Sequence, residues 1–153
     1  MLYFAYGSNM SRHLMGLRCP GAVSCGPATR EGYEFFINTS GHGSIRPAPG
    51  RRVHGVVWRL AARHVAALNN YEGIDTGLYR RLMASVRTGD GMRSALVYVT
   101  NDTGKGRPHS AYMPLVIAAA RDWAFPDAYI SELSRIAPMR WRGARRADTG
   151  ELK

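Results

Sequence analysis

At 153 residues, 45% hydrophobic and 21% charged, the chain has the length and composition of one globular domain, long enough for a core without staples or metals. Its longest apolar stretch, Met113 to Ala120, is interrupted by Pro114 and is far too short for a bilayer, and its start carries no charged leader, so a cytoplasmic protein with no membrane partner is expected. The net charge of +10 comes from 21 Lys plus Arg against 11 Asp plus Glu, yet these cations are spread along the chain without a helix-turn-helix, zinc-finger or RNP pattern, which disfavours nucleic acid as the main partner.

Leu2 to Tyr6 reads as an apolar strand that breaks into the small turn-forming residues Gly7-Ser8-Asn9. A strand end of this kind leaves backbone N–H groups free to meet a substrate oxygen, so the turn is a candidate binding loop. Ser11 to Leu17 follows as a short helix with Ser11 as its N-cap. Cys19 to Gly26 is turn-rich, Tyr33 to Asn38 is a second strand, and Thr39 to Gly50, rich in Gly and Pro, is expected to be an exposed loop. Val53 to Leu60 is the next strand. Ala61 to Leu68 has helix-forming composition with Val65 and Leu68 on one face, and it stops near Asn69-Asn70-Tyr71-Glu72-Gly73, which puts Glu72 at an element boundary.

Tyr79 to Arg87 and Arg93 to Thr100 form a hairpin around Thr88-Gly89-Asp90-Gly91-Met92. After a polar loop from Asn101 to Ser110, Tyr112 to Trp123 and Pro126 to Ile136 form two helices, with Pro126 expected at a helix N1 position. Pro138 ends the second helix. The domain is therefore expected to span residues 1–137, with residues 138–153, which carry Arg140, Arg142, Arg145 and Arg146, as a basic and loosely held tail.

This order predicts an α+β fold, a small mixed and mostly antiparallel sheet with flanking helices, in place of a regular βαβ alternation. Gly41-His42-Gly43 and Gly104-Lys105-Gly106 do not match a dinucleotide or phosphate loop, so no nucleotide cofactor is implied. Cys19 and Cys25 form no Cys-x-x-Cys pair, and the five histidines are scattered, so no metal site is expected.

Among the acidic residues Glu72 has the most distinctive setting, at the end of an amphipathic helix whose face enters the core. A carboxylate carried in on such a segment is desolvated, which raises its pKa and makes it a proton acceptor and donor near neutrality. The alternative is helix-end solvation, or pairing with Arg80 or Arg81.

Tyr6-Gly7-Ser8-Asn9, then Gly55-Val56-Val57-Trp58, then Tyr71-Glu72-Gly73, resembles the γ-glutamylcyclotransferase family. The likeness extends through Tyr3-Phe4-Ala5, Pro47 to Gly50, Tyr79, Tyr112 and Phe125 to Ile130, and covers Leu2 to Ile136. Each motif is short; their order and spacing together are specific. The resemblance implies a β-barrel-like sheet and a cofactor-independent enzyme that takes a small-molecule γ-glutamyl amide and releases 5-oxoproline and an amine. It implies Glu72 as general acid/base, with Tyr3, Phe4, Ala5, Tyr6, Gly7, Ser8 and Asn9 as the cradle and Tyr79 and Tyr112 in the pocket, in a monomer or homodimer. Many family members carry Asp where this chain has Asn69, so a second carboxylate near the site is missing here. The alternative from another class is a non-catalytic metabolite-binding or interaction protein that keeps the fold.

Overall fold

The computed structural model describes residues 1–136; the expected domain boundary and the basic tail lie outside the described residues. Ten elements follow in chain order: β1 (Leu2–Ala5), a 3-10 turn (Ser8–Met10), α1 (Arg12–Arg18), β2 (Val23–Ile37), β3 (Gly43–Arg59), α2 (Ala62–Tyr71), β4 (Tyr79–Thr88), β5 (Gly91–Thr100), α3 (Tyr112–Asp122) and α4 (Asp127–Ile136). The strands close into a barrel in the order β1-β3-β2-β4-β5. Neighbours are antiparallel except β1 and β5, which meet in parallel at Tyr3 and Leu96.

Alternation along the strands sorts the core into two parts. Phe4, Val57 and Val97 point to one face and pack with Val53, Val86 and Val99; Tyr3, Trp58 and Leu96 point to the other and meet the helices through Leu68, Met113, Val116 and Leu133. Gly55 allows the strands to approach this closely: a Cβ there would meet the Phe4 ring at 2.7 Å and collide with the Ala5 carbonyl oxygen.

Two expectations need correction. β2 begins at Val23, so of the stretch Cys19 to Gly26 read as turn-rich the second half, from Val23, is already strand, and β3 begins at Gly43, so most of the expected loop from Thr39 to Gly50 is strand too. Bulges between Ser24 and Gly26 and between Glu31 and Tyr33 interrupt the pairing, and Gly26 and Gly32 supply the positive φ values found there. The prolines are tolerated because β1 pairs with β3 only over Val56–Arg59, which leaves Pro47 and Pro49 on an edge. Cross-strand ion pairs tie β2 to β3: Arg46 Nε donates to Glu34 at 2.8 Å and Arg52 pairs with Glu31 at 3.2 Å, each opposite its partner in the register.

The helices match expectation with shifts of one to three residues. Ser11 Oγ accepts from Leu14 N–H, as an N-cap should. Pro126 lies just before α4, where its carbonyl accepts from Tyr129 and Ile130, so it caps the helix and is not its first residue. Buried His64 closes the start of α2 by accepting from Ala61 N–H at 2.9 Å, with its Nε2 2.6 Å from the Pro20 carbonyl. No helix among the described residues is long and apolar enough to cross a membrane.

Candidate active site

β1 leaves the barrel at Ala5, and the chain turns at once through Gly7 into the 3-10 turn. Trp123, the C-cap of α3, holds that turn from behind by donating from Nε1 to the Met10 carbonyl at 2.8 Å, and the Arg12 guanidinium covers the Trp123 ring. Opposite, α2 stops at Tyr71 and Glu72 forms its C-cap, with its N–H bonded to the Leu68 carbonyl at 2.8 Å. Gly73 follows at φ +65°, a left-handed turn that a Cβ-bearing residue resists. A cavity of about 180 Å³ lies between turn and helix end. That is below the roughly 300 Å³ usual for drug-sized ligands and suits part of a small metabolite.

Tyr3, Tyr6, Gly7, Ser8, Asn9, Glu72, Tyr79 and Tyr112, all expected at the site, line this cavity. Phe4 and Ala5 do not. Phe4 is 0% and Ala5 1% exposed, and both stand among core residues, apart from the cavity that the rest of the expected run lines. Tyr71, Leu78, Tyr98, His42 and Gly43 also line the cavity and were missed. Tyr98 reads in sequence as one more apolar strand residue. His42 and Gly43 arrive through the β2–β3 hairpin, whose buried Asn38 accepts from Ser40 and His42 N–H and donates to Thr100 Oγ1 at 2.9 Å.

The polar groups are tightly placed. Tyr79 hydroxyl donates to the Gly43 carbonyl at 2.7 Å, Tyr6 hydroxyl to the Tyr98 carbonyl at 2.5 Å, and Tyr98 hydroxyl to Asn69 Oδ1 at 2.7 Å. Asn69, the position that departs from the acidic pattern, thus serves as an uncharged acceptor. The backbone N–H groups of Ser8 and Gly43 face the Tyr112 phenolic oxygen. One amide of the expected cradle therefore meets a protein hydroxyl that itself stands in the pocket.

Burial pushes the Glu72 carboxyl up to about 7, with the Arg18 guanidinium pulling the other way. Arg18 is the cation here; Arg80 instead donates to the Thr100 carbonyl and Asn101, so the expected alternative of an Arg80 pairing is not what the structure forms. Burial first and the Glu72 charge second hold Tyr3 and Tyr79 protonated, and Tyr98 is pushed up to about 12 by the same causes. The pocket thus joins one carboxyl that titrates near neutrality to several hydroxyls that do not. Among the described residues no three His, Cys, Asp or Glu side chains gather as metal ligands.

Fold and site define a class: a small closed barrel with a partly desolvated glutamate sharing a cavity with the strand-end turn Gly7-Ser8-Asn9. A family profile described as the AIG2-like family matches residues 52–133. The γ-glutamylcyclotransferase of Mus musculus is 31% identical over an alignment covering 93% of this chain and 81% of that protein, and the Bos taurus protein is 29% identical with the same coverage. A solved structure of a γ-glutamyl cyclotransferase superposes with a TM-score of 0.84 at 25% identity, covering 99% of this chain and 96% of that one. The chain belongs to the AIG2-like, γ-glutamylcyclotransferase family.

Proposed function

We propose that the chain is a γ-glutamylcyclotransferase that cleaves a γ-glutamyl amide by attack of the substrate's own α-amine, with Glu72 as general acid and base. The observation that carries this reading is the placement of the Glu72 carboxyl, which burial pushes up to about 7, in a cavity it shares with the Gly7-Ser8-Asn9 turn.

The free α-amine attacks the γ-carbonyl carbon, forming the ring N–C bond and placing charge on the carbonyl oxygen. Ionised Glu72 takes a proton from the attacking nitrogen and, as the acid, returns one to the leaving nitrogen as the old C–N bond breaks. The products are 5-oxoproline and the amine; no water is consumed and no acyl-enzyme forms. Holding amine and carbonyl within one small cavity makes the step intramolecular, which supplies much of the acceleration without a nucleophilic side chain. A pKa near 7 suits a group that must be base and then acid in one turnover.

Charge on the carbonyl oxygen needs fixed donors. The turn amides are candidates, and so is Tyr112, whose hydroxyl lies beside the Ser8 and Gly43 backbone and is kept protonated chiefly by burial. Tyr3, Tyr6, Ser8, Asn9 and Tyr79 complete the walls on the glutamyl side. The whole site falls within one domain, residues 1–137, with a cytoplasmic metabolite as substrate.

The test is incubation with a panel of γ-glutamyl amino acids, glutathione and ε-(γ-glutamyl)lysine, followed by mass spectrometry. Equimolar 5-oxoproline and amine support the reading. Silence across the panel contradicts it and favours a metabolite-binding protein with the same pocket.

A further inference from the structure

We propose that Arg18 is a positioning residue of this site, tying the Ser8–Asn9 turn to the Tyr71–Glu72 end of α2 and standing as the counter-charge to Glu72. The inference rests on the reading of Glu72 given above and goes beyond it to a residue outside the cavity lining.

Arg18 is the last residue of α1, where the helix C-terminus favours a cation. Its Nη1 donates to Ser8 Oγ at 3.2 Å and to Asn9 Oδ1, so one nitrogen spans both side chains of the turn. Asn9 is thereby oriented: its oxygen faces Arg18 and its Nδ2 donates to the Tyr3 hydroxyl at 3.1 Å. The guanidinium carbon lies 4.0 Å from the centre of the Tyr71 ring, the residue before Glu72. Both halves of the proposed site, the turn and the helix end, therefore lean on one side chain that is itself only half-buried.

This task suits arginine and not lysine. A planar guanidinium can donate in its plane while its face stacks on an aromatic ring; an ammonium keeps the charge and loses the stack. The other titratable groups that face Glu72 are Tyr3, Tyr6, Tyr79, Tyr98 and Tyr112, from β1, the residue after it, β4, β5 and α3, and His42 of the β2–β3 hairpin lines the same cavity. The phenols stay neutral at the pH of the reaction, and burial first and His109 second hold the His42 imidazole below its ordinary value, which favours its neutral form. Arg18 lowers the Glu72 carboxyl against the rise caused by burial, which keeps more of the base form near neutrality.

The test uses Arg18→Met and Arg18→Lys, with two readouts. Glutamate labelled with ¹³C at the carboxyl reports the Glu72 midpoint by NMR, with Glu72→Gln assigning the resonance; 5-oxoproline release against pH reports kcat and KM. Arg18→Met is expected to move the Glu72 midpoint and the acid limb of kcat/KM upward together by about half a pH unit or more, which lowers the rate well below pH 7 by about threefold or more. Arg18→Lys is expected to hold the midpoint near that of the wild type while KM rises, because charge is kept and the spanning geometry is lost. A folded Arg18→Met protein with the wild-type midpoint and limb would overturn the proposal and leave Arg18 a packing residue. Should that variant fail to fold, Arg18→Gln, which keeps a donor without the charge, carries the same comparison. If the wild type releases no 5-oxoproline, the enzymatic reading falls, and the NMR midpoint still decides whether Arg18 sets the charge of Glu72.

Discussion

The hydroxyl of Tyr112 lies where a side chain at Gly7 would begin: a Cβ on Gly7 would be 2.5 Å from that oxygen, with the next ring atom at 3.7 Å. The closeness of the turn to α3 therefore depends on a hydrogen atom at Gly7. Gly43 stands in the same relation to Tyr112, but a Cβ there would also meet the Phe35 ring at 2.7 Å. Gly7→Ala is expected to lose about 1–3 kcal/mol of stability and to raise KM. Gly7→Ala with Tyr112→Phe should recover most of the stability, because only the oxygen is in the way, whereas Gly43→Ala with Tyr112→Phe should not. Urea denaturation of Gly7→Ala, Gly43→Ala and the two double variants checks the contrast.

The tight strand approach at Gly55 gives a second expectation. A methyl group there meets the Ala5 carbonyl and the Phe4 ring in a closed barrel where backbone has little room to move. Gly55→Ala should cost roughly 3 kcal/mol or more, since overpacking against backbone cannot be relieved by a rotamer change. A denaturation midpoint equal to that of wild type would contradict this account of the motif.

Much of this fold was legible in local pattern, and its exceptions share a cause. The β4–β5 hairpin and the four helices announce themselves through alternation, capping and turn residues. The first halves of β2 and β3 do not, because Gly26, Pro27, Gly32, Pro47 and Pro49 imitate loop composition while sitting at bulges and on an exposed edge. At the site, Glu72 and the Gly7-Ser8-Asn9 turn were legible because each is a local break in a regular element. Arg18, Tyr98 and His42 reach the site only through the closure of the barrel, and in sequence they look like a helix-end charge, a core aromatic and a loop residue. Phe4, brought to the expected site by adjacency, packs in the core in the same cluster as Tyr6.

The Glu72 carboxyl, raised to about 7, has a sign that can be checked in the rate. The base form is the ionised one, so the contribution of Glu72 to kcat/KM should fall tenfold per unit as pH drops below about 7 and be constant above it. The α-amine of the substrate adds its own limb, which is the same for every variant and so cancels in a comparison. Stopped time courses from pH 5 to 9 give the profile; a limb lying near 4.5 would show that Glu72 is not the titrating base.

Stability should carry the same signature in reverse. Glu72 binds its proton more tightly folded than unfolded, so the wild type loses stability as pH rises from 4.5 through about 7, and none is lost from this group below that window. Glu72→Gln removes the penalty. Its advantage over wild type should grow by about 2 kcal/mol between pH 4.5 and 8, the full effect of a rise from 4.5 to about 7 being reduced by partial exposure of the side chain. Denaturation of both proteins at the two pH values tests this without any substrate.

The central claim is that one carboxylate moves both protons of an intramolecular cleavage. Single-turnover release of 5-oxoproline by wild type and Glu72→Gln, at saturating γ-glutamyl substrate and pH 8, addresses it most directly. The account predicts a fall of about 10² to 10⁴-fold in the rate with substrate affinity largely kept, the range expected for a lost general acid and base. Equal rates in the two proteins would contradict it.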